Sequence, residues 1–178
     1  MEIAYDDKSL KTFAKTAMNV STNNTILIDQ YLENAIELDV DLIRDSEGNV
    51  FIAGIMEHIE EAGIHSGDSA CSLPPFSIDK DIENKIIQWV TDIANKINVI
   101  GLMNAQIALK ERKLYVLEVN PRASRTVPFV AKAIGIPIAK IAARVMCGDK
   151  LRDMLPSLER KKIKTYNVKE SVFPFNKF

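Results

Sequence analysis

The spacing of apolar and polar residues changes along this chain, and each period predicts a different element. Residues 36–42 alternate strictly, and the polar turn 45–49 separates them from the β-rich run 50–55. Together these segments predict a β-hairpin. Residues 10–17 and 82–97 carry apolar side chains at helical spacing instead, and they predict two amphipathic helices.

Proline and glycine frame two further predicted helices in the second half of the chain. Pro128 and Gly135 bracket the first, and Pro137 and Gly148 bracket the second, because proline suits a first helical turn and glycine a helix end. Strand and helix signals therefore intermingle, which is typical of an α+β fold. No repeat or linker divides the sequence, so we expect one domain over residues 1–178.

The remaining segments give weaker patterns. Residues 1–5 and 25–32 have a strand-like composition, and we expect short strands there. Segment 149–178 is more charged, and we expect a surface extension that leads towards a C-terminal region outside this sequence. Trp89 is predicted to be a core residue, and the basic pair at 161–162 is predicted to be exposed.

Charge and cysteine content exclude several classes of function. The 178 residues carry a formal net charge of −1, which favours neither nucleic acid nor an anionic membrane as a partner. Two cysteines are too few for a disulfide framework in a chain of this size. We find no secretory signal and no apolar run of the roughly 18 residues that a membrane span needs. We therefore expect a cytoplasmic protein.

A second predicted hairpin carries most of the candidate chemistry. Two apolar-rich segments flank a polar turn, and centring the hairpin on Arg112 pairs residues whose numbers sum to 224, because 2 × 112 = 224. Gln106 then lies opposite Glu118, and Asn104 lies opposite Asn120, all on one face. Directly opposed side chains are roughly 5 Å apart. Gln106 and Glu118 are therefore close enough to share one ion.

The residues that end this strand suggest phosphoryl transfer. Glu118 and Asn120 point to the same face, and oxygen ligands of this kind suit Mg²⁺ held between carboxylates and phosphates. Pro121 ends the strand, and Arg122 and Arg125 follow within reach of a phosphate. The spacing alone fits an ordinary half-exposed hairpin with polar side chains equally well.

The loop at residues 61–69 is a second candidate site. Gly63 and Gly67 permit backbone angles closed to other residues, so the main chain can approach a ligand closely. His65 lies between them and fits either a phosphate contact or a structural role in the loop. His58 fits the structural role better. The residues alone leave these alternatives open.

Four segments resemble the large subunit of carbamoyl phosphate synthase, in the order and at the spacing of that family. They are residues 54–74, 101–106, 118–129 and 174–178. The family's subunit contains two homologous ATP-grasp halves. Residues 64–67 (Ile-His-Ser-Gly) and 125–129 (Arg-Thr-Val-Pro-Phe) resemble the second half, which phosphorylates carbamate. The resemblance covers essentially the whole chain.

This resemblance implies a fold and an activity. The fold would be the C-terminal subdomain of an incomplete ATP-grasp domain, with an antiparallel sheet and flanking helices. The activity would be that of a glutamine-hydrolysing, ATP-dependent ligase that phosphorylates carbamate to carbamoyl phosphate with Mg²⁺ or Mn²⁺. Arginine and pyrimidine biosynthesis would use the product. The implied partners are ATP, carbamate, the glutaminase small subunit and the rest of the large subunit.

The resemblance also implies roles for individual residues. The implied metal ligands are Gln106, Glu118 and Asn120. The implied catalytic residues are Asn120, Arg122 and Arg125. The resemblance implies that Gln30 and Leu32 lie near the adenine and that Glu37 contacts the ribose. It also implies nucleotide binding by six further residues: Gly63, Ile64, His65, Ser66, Gln106 and Glu118. Asp39 and Asp41 share the strand face of Glu37, and we interpret them as solvated strand residues.

One departure from the family pattern limits these expectations. An ATP-grasp site closes between two subdomains, and the upstream one should carry a glycine-rich phosphate loop. No glycine precedes Gly48 in this sequence, so we expect the isolated chain to be inactive. Two alternatives remain: another ATP-grasp carboxylate–amine or carboxylate–thiol ligase, and an inert interaction module.

Overall fold

The computed structural model describes residues 2–20, 25–62, 64, 68–159 and 162–172. The chain divides into two compact units, Met1–Glu33 and Asn34–Phe178. Within the described ranges, no helix combines the length and the apolar character needed to cross a membrane.

The first unit contains helix α1 (Asp7–Val20), as its helical spacing predicts. Asp6 caps this helix, because its Oδ1 accepts a 2.6 Å hydrogen bond from the backbone N–H of Ser9. The strands predicted at 1–5 and 25–32 are wrong, because the described residues of both segments have no strand structure. Strand-like composition alone does not supply the hydrogen-bonded neighbour that a strand needs.

The second unit is built on a six-stranded antiparallel sheet with strand order β5-β4-β1-β2-β3-β6. Its strands are β1 (Ile36–Arg44), β2 (Val50–His58), β3 (Cys71–Leu73), β4 (Gly101–Lys110), β5 (Lys113–Asn120) and β6 (Asn167–Lys169). Its helices are α2 (Lys80–Lys96), α3 (Val127–Ile134), α4 (Ile138–Met146) and α5 (Leu151–Met154). The predicted antiparallel sheet with flanking helices is therefore confirmed.

Each face of the sheet has its own apolar core. On one face, Ile86 and Val90 of α2 join a buried cluster that includes Val40 of β1. On the other face, α3 and α4 contribute to a second cluster, which includes Ile43 of β1 and Val130 of α3. Strand alternation explains this division, because successive side chains of β1 point to opposite faces.

The helix boundaries follow the predicted signals. Asp79 caps α2 by accepting a 2.9 Å hydrogen bond from the N–H of Ile82. Gly135 ends α3 in the left-handed region, at φ 67°, and Pro137 precedes α4. The prediction that Trp89 is a core residue is wrong, since its side chain is 40% exposed. Trp89 is not among the buried residues of α2.

The described residues of segment 149–178 pack more closely into the unit than a surface extension would. Leu151 and Leu155 are buried in the core beneath α4, and β6 pairs with β3 as an edge strand of the sheet. Asp45 anchors the start of α5, because its Oδ2 accepts a 3.0 Å hydrogen bond from the N–H of Leu151. Lys162 is exposed, as predicted, while Lys161 lies outside the described residues.

Candidate active site

Polar side chains occupy one face of three adjacent strands, which we call the polar face. The sheet register places Asp39 opposite Gln106, and Gln106 opposite Glu118. One row along, Asp41 lies opposite Asn104, and Asn104 lies opposite Asn120. Opposed residues of neighbouring strands share a face. The predicted pairing of the hairpin residues is therefore confirmed, and β1 adds two carboxylates to the same face.

A β-bulge produces the pairing at the polar face. Glu111 and Arg112 form the hairpin turn with φ values of 49° and 64°, and Lys110 pairs with Lys113 in a register whose numbers sum to 223. The register shifts between Gln106 and Ile107, so that from Gln106 onwards the numbers of paired residues sum to 224. Without this shift, Glu118 would lie opposite Ala105 and face the core beneath α2.

Exposure increases from the centre of the polar face towards the hairpin edge. Asp39 and Asp41 are buried, Gln106 and Asn120 are half-buried, and Glu118 is exposed. The interpretation of Asp39 and Asp41 as solvated residues is therefore wrong. Both belong to β1, a central strand with neighbours on each side. Glu118, by contrast, lies on the edge strand β5 and is accessible to a ligand.

Asp41 is the centre of a buried hydrogen-bond network. Its Oδ1 accepts hydrogen bonds from Asn104 Nδ2 at 2.9 Å and from Ser124 Oγ at 2.8 Å. Its Oδ2 accepts one from Thr126 Oγ1 at 2.6 Å. Burial raises the pKa of Asp41 above its ordinary value, while these three donors oppose the rise. The donors come from β4 and from the segment that follows β5.

A second branch of the network leads to Glu37. His58 Nε2 lies 2.8 Å from Asp39 Oδ2, and His58 Nδ1 lies 3.8 Å from Glu37 Oε1. Asn104 Nδ2 also donates to Asp39 Oδ1 at 3.2 Å. The structural interpretation of His58 agrees with this buried contact. Glu37, Asp39 and His58 thus form one contiguous polar group beside the candidate metal ligands.

Both predicted arginines follow the end of β5 and are exposed. The N–H of Arg122 donates a 2.8 Å hydrogen bond to the carbonyl of Asn120, and its Nη1 donates to the carbonyl of Ala123 at 2.9 Å. Arg125 stands between Ser124 and Thr126, the two residues whose hydroxyls reach Asp41. Two exposed arginines therefore follow within five residues of Asn120, at the end of β5.

The predicted nucleotide loop is described only in part. Gly63, His65 and Ser66 lie outside the described residues, and Ile64 is 44% exposed. A backbone hydrogen bond connects the two ends of the loop, because the N–H of Ile59 donates to the carbonyl of Ala70 at 3.0 Å. The nucleotide role of this loop stays a prediction.

The other predicted nucleotide residues are spread over both units. Gln30 is exposed and Leu32 is half-buried in the first unit, whereas Glu37 is buried in the second unit. Their roles stay predictions. Among the described residues, no group of three or more His, Cys, Asp or Glu side chains could hold a metal ion. The predicted ligand set is of another kind, because it combines the carboxylate of Glu118 with the amide oxygens of Gln106 and Asn120.

Sequence reasoning missed the network around Asp41, although a signal for it exists. Strict alternation places Asp39 and Asp41 on the face of Glu37, and the hairpin register extends that face across β4 and β5. Side chains on such a shared face of a central strand are expected to be buried and hydrogen-bonded. The contacts of Ser124 and Thr126 have no comparable signal, because they join residues far apart in the sequence.

Comparison with known proteins identifies relatives along the whole chain. A family model described as the carbamoyl-phosphate synthase L chain, ATP binding domain, matches residues 1–154. The carbamoyl phosphate synthase large chain of Archaeoglobus fulgidus is 56% identical over 177 residues, which cover 99% of this chain and 16% of that protein. The arginine-specific, chloroplastic large chain of Arabidopsis thaliana is 54% identical over 180 residues, which cover 100% and 15%. This chain therefore spans only about a sixth of these relatives' length.

Solved structures with the same fold are more distant in sequence. The biotin carboxylase domain of Hydrogenobacter thermophilus 2-oxoglutarate carboxylase, in complex with MgADP, ADP and bicarbonate, aligns with a TM-score of 0.76 at 19% identity and covers 94% of this chain and 37% of that chain. Campylobacter jejuni biotin carboxylase aligns with a TM-score of 0.73 at 20% identity, covering 91% and 35%. This similarity establishes the fold of an ATP-grasp subdomain. From the family model and the relatives together, the chain belongs to the family of carbamoyl phosphate synthase large-chain ATP-binding domains.

Proposed function

We propose that this chain forms one side of the active site that phosphorylates carbamate in a glutamine-hydrolysing carbamoyl phosphate synthase. The observation that carries the proposal is the polar face: Gln106 lies opposite Glu118, and Asn104 lies opposite Asn120. Arg122 and Arg125 follow at the end of the same strand. The names of the relatives support the enzyme class, and the motif at residues 125–129 supports the carbamate-phosphorylating half.

The donor set at the edge of the polar face fits a magnesium–nucleotide complex. Glu118 offers an exposed carboxylate, and Gln106 and Asn120 offer amide oxygens on the same face. Hard oxygen ligands of this kind suit Mg²⁺, with Mn²⁺ as a substitute. The bound ion would neutralise phosphate charge during transfer. These three residues would hold it, and Glu118 and Gln106 would also contact the nucleotide phosphates.

The remaining predicted residues would bind and orient the two substrates. Arg122 and Arg125 would hold carbamate and stabilise charge on the transferred phosphoryl group. Glu37 would contact the ribose. Gln30 and Leu32 would lie near the adenine. The loop residues Gly63, Ile64, His65 and Ser66 would also contact the nucleotide.

The proposed reaction needs little covalent help from the protein. A carbamate oxygen forms a bond to the γ-phosphorus of ATP, while the bond to the β,γ-bridging oxygen breaks and ADP leaves with that electron pair. The attacking oxygen is already anionic, so no general base is required. Positioning and charge stabilisation would supply most of the rate enhancement. Exposed arginines that follow directly after the strand of Glu118 and Asn120 are suited to those two tasks.

The wider assignment follows from the same proposal. Residues 1–178 would form one partial ATP-grasp domain, and the isolated chain would be inactive, because its sequence has no glycine before Gly48 to form a phosphate loop. The rest of a large subunit and a glutaminase small subunit would be its partners, in the cytoplasm. Carbamoyl phosphate would serve pyrimidine and arginine synthesis, and the relative named arginine-specific supports the arginine branch.

A chimera tests the proposal. In the Archaeoglobus fulgidus large chain, the region that this chain matches is replaced by residues 1–178. We call the resulting hybrid protein the chimera. We expect it to form ATP from ADP and carbamoyl phosphate, whereas the host with the region deleted should not. Formation of ATP only with other acyl phosphates would identify a different ligase. Absence of Mg²⁺-dependent ATP binding in the chimera's second half would indicate an inert interaction module.

A further inference from the structure

The buried carboxylate of Asp41 holds both neighbours of Arg125. Ser124 Oγ donates to Asp41 Oδ1 at 2.8 Å, and Thr126 Oγ1 donates to Asp41 Oδ2 at 2.6 Å. Asp41 is 0% exposed and Thr126 is 2% exposed, whereas Arg125 is exposed. The main chain of Arg125 is therefore fixed on both sides, while its guanidinium group stays accessible.

The contact of Thr126 is unusual for its position at the start of a helix. Thr126 is the N-cap residue of α3, where a threonine hydroxyl ordinarily accepts a hydrogen bond from an N–H in the first helical turn. Here its side chain makes no such bond, and Pro128 removes one N–H from that turn. The hydroxyl donates to Asp41 instead. The helix start is thus connected to the central strand rather than capped by its own side chain.

The same carboxylate also holds the candidate metal hairpin. Asn104 Nδ2 donates to Asp41 Oδ1 at 2.9 Å, and Asn104 lies opposite Asn120 in the sheet register. Ser124 Oγ and Thr126 Oγ1 lie 2.6 Å apart, so the two hydroxyls contact each other as well as the carboxylate. Asp41 thus connects the arginine segment to the strand that faces Asn120.

We propose that Asp41 is a positioning residue which, through Ser124 and Thr126, fixes Arg125 for binding of the acyl phosphate. The inference rests on the proposed function of the site. Asp41 is buried and acts through the two hydroxyls, so its effect falls on the substrate that Arg125 contacts. Binding of the nucleotide base and ribose depends on other residues and is expected to be unchanged.

A pair of substitutions at Thr126 tests the inference in the chimera. Thr126→Val removes the hydroxyl at nearly constant shape, and Thr126→Ser retains it. We expect Thr126→Val to lower kcat/KM for carbamoyl phosphate at least about tenfold, with the KM for ADP within about twofold. Thr126→Ser should recover most of the loss. Thr91→Val, on α2 at the opposite face of the sheet, is the matched control and should leave both constants unchanged.

Ser124→Ala provides a second variant in case Thr126→Val does not fold, and it should lower the same constant. Wild-type kcat/KM in Ser124→Ala and in any folded Thr126→Val would overturn the inference while leaving the proposed function intact. A parent chimera without ATP formation would overturn the proposed function and with it the catalytic part of the inference. Amide hydrogen exchange of the 178-residue chain tests the positioning contact without an activity assay, and so separates failure of the inference from failure of the proposed function. Exchange at residues 122–126 should be faster in Thr126→Val than in Thr126→Ser, and equal rates would contradict the positioning contact itself.

Discussion

At the scale of single residues, the polar face shows that neighbouring side chains determine how exposed a carboxylate on a central strand is. Asp39 and Asp41 are charged and lie on a strand with strict alternation, which suggests solvent on one side. Both are nevertheless 0% exposed. Asp39 contacts His58 of β2 and Asn104 of β4, and Asp41 contacts Asn104 and the segment after β5. Asp41 receives three hydrogen bonds in return.

Replacing Arg125 with alanine tests its proposed contact with the substrate. We expect kcat/KM for carbamoyl phosphate in the chimera to fall at least about tenfold, equivalent to roughly 1.4 kcal/mol of transition-state binding. The physical reason is the loss of a guanidinium contact to an anion. Lys132→Ala removes an exposed cation from the neighbouring helix α3 and serves as the control. Equal kcat/KM values for the two variants would indicate that Arg125 is an ordinary surface residue.

At the scale of elements, long periodic segments could be predicted and short ones could not. The helices α1 to α4 and the two hairpins follow from spacing and from their caps. The strands β3 and β6 have three residues each, which is too short for any period to be recognised. The sequence predicts a hairpin centred on Arg112, whereas Glu111 and Arg112 form the turn together. The bulge makes up the half-residue difference in register.

The turn at Glu111 and Arg112 predicts a stabilising substitution. Both residues have positive φ, and a two-residue turn of this kind favours asparagine at its first position. Glu111→Asn should raise the free energy of unfolding of the 178-residue chain by about 0.5 kcal/mol, measured by urea denaturation. Arg112 is kept, because its Nη1 lies 2.6 Å from Asp79 Oδ2. Lys113→Asn, on the adjacent strand residue, should not stabilise the chain, and an equal gain there would refute the turn assignment.

Asp45 predicts a pH-dependent contribution to stability. Burial alone would raise the pKa of Asp45, but hydrogen bonds from Asn49 and from the N–H groups of Leu151 and Glu47 hold it below the ordinary value. Because the folded-state pKa is lowered, this stabilisation is present above the unfolded value near 3.9 and is lost as pH falls through the folded value.

Asp45→Asn should therefore lower the free energy of unfolding by about 2 kcal/mol at pH 7. The difference from wild type should shrink below about pH 4. Urea denaturation at pH 7 and pH 3 measures both values. Asp153→Asn, an exposed carboxylate on α5, is the control and should change neither. A difference for Asp45→Asn that is independent of pH would contradict the charge-based explanation.

At the scale of the whole molecule, the sheet separates two apolar cores and leaves the polar face open at the β5 edge. The positions of α2 on one face and α3 with α4 on the other follow from the alternation of β1. The sequence could not predict that β6 joins the sheet, because its pairing with β3 connects residues about 100 positions apart. A contact of that range has no local signal.

The isolated chain is expected to fold and to bind ATP weakly. Its two apolar clusters favour cooperative unfolding, but the proposed metal ligands on β4 and β5 would contact the triphosphate from one side only and in water of high dielectric. We expect a Kd for MgATP near the millimolar range, or about −4 kcal/mol, and no formation of ATP from carbamoyl phosphate. Calorimetry and the transfer assay measure these quantities. A rate equal to that of the chimera would show that the chain alone holds a complete site.

We propose above all that Glu118, with Gln106 and Asn120, holds the metal–phosphate complex for carbamate phosphorylation. The most direct measurement compares two partial reactions of the chimera carrying Glu118→Gln with those of Glu170→Gln, which changes an exposed carboxylate outside the polar face. We predict that Glu118→Gln lowers carbamoyl-phosphate-dependent ATP formation at least about a hundredfold, while bicarbonate-dependent ATP hydrolysis by the host's other half and the melting temperature stay unchanged. Glu170→Gln should match the unmodified chimera in both reactions. ATP formation by Glu118→Gln at the rate of the unmodified chimera would contradict the claim.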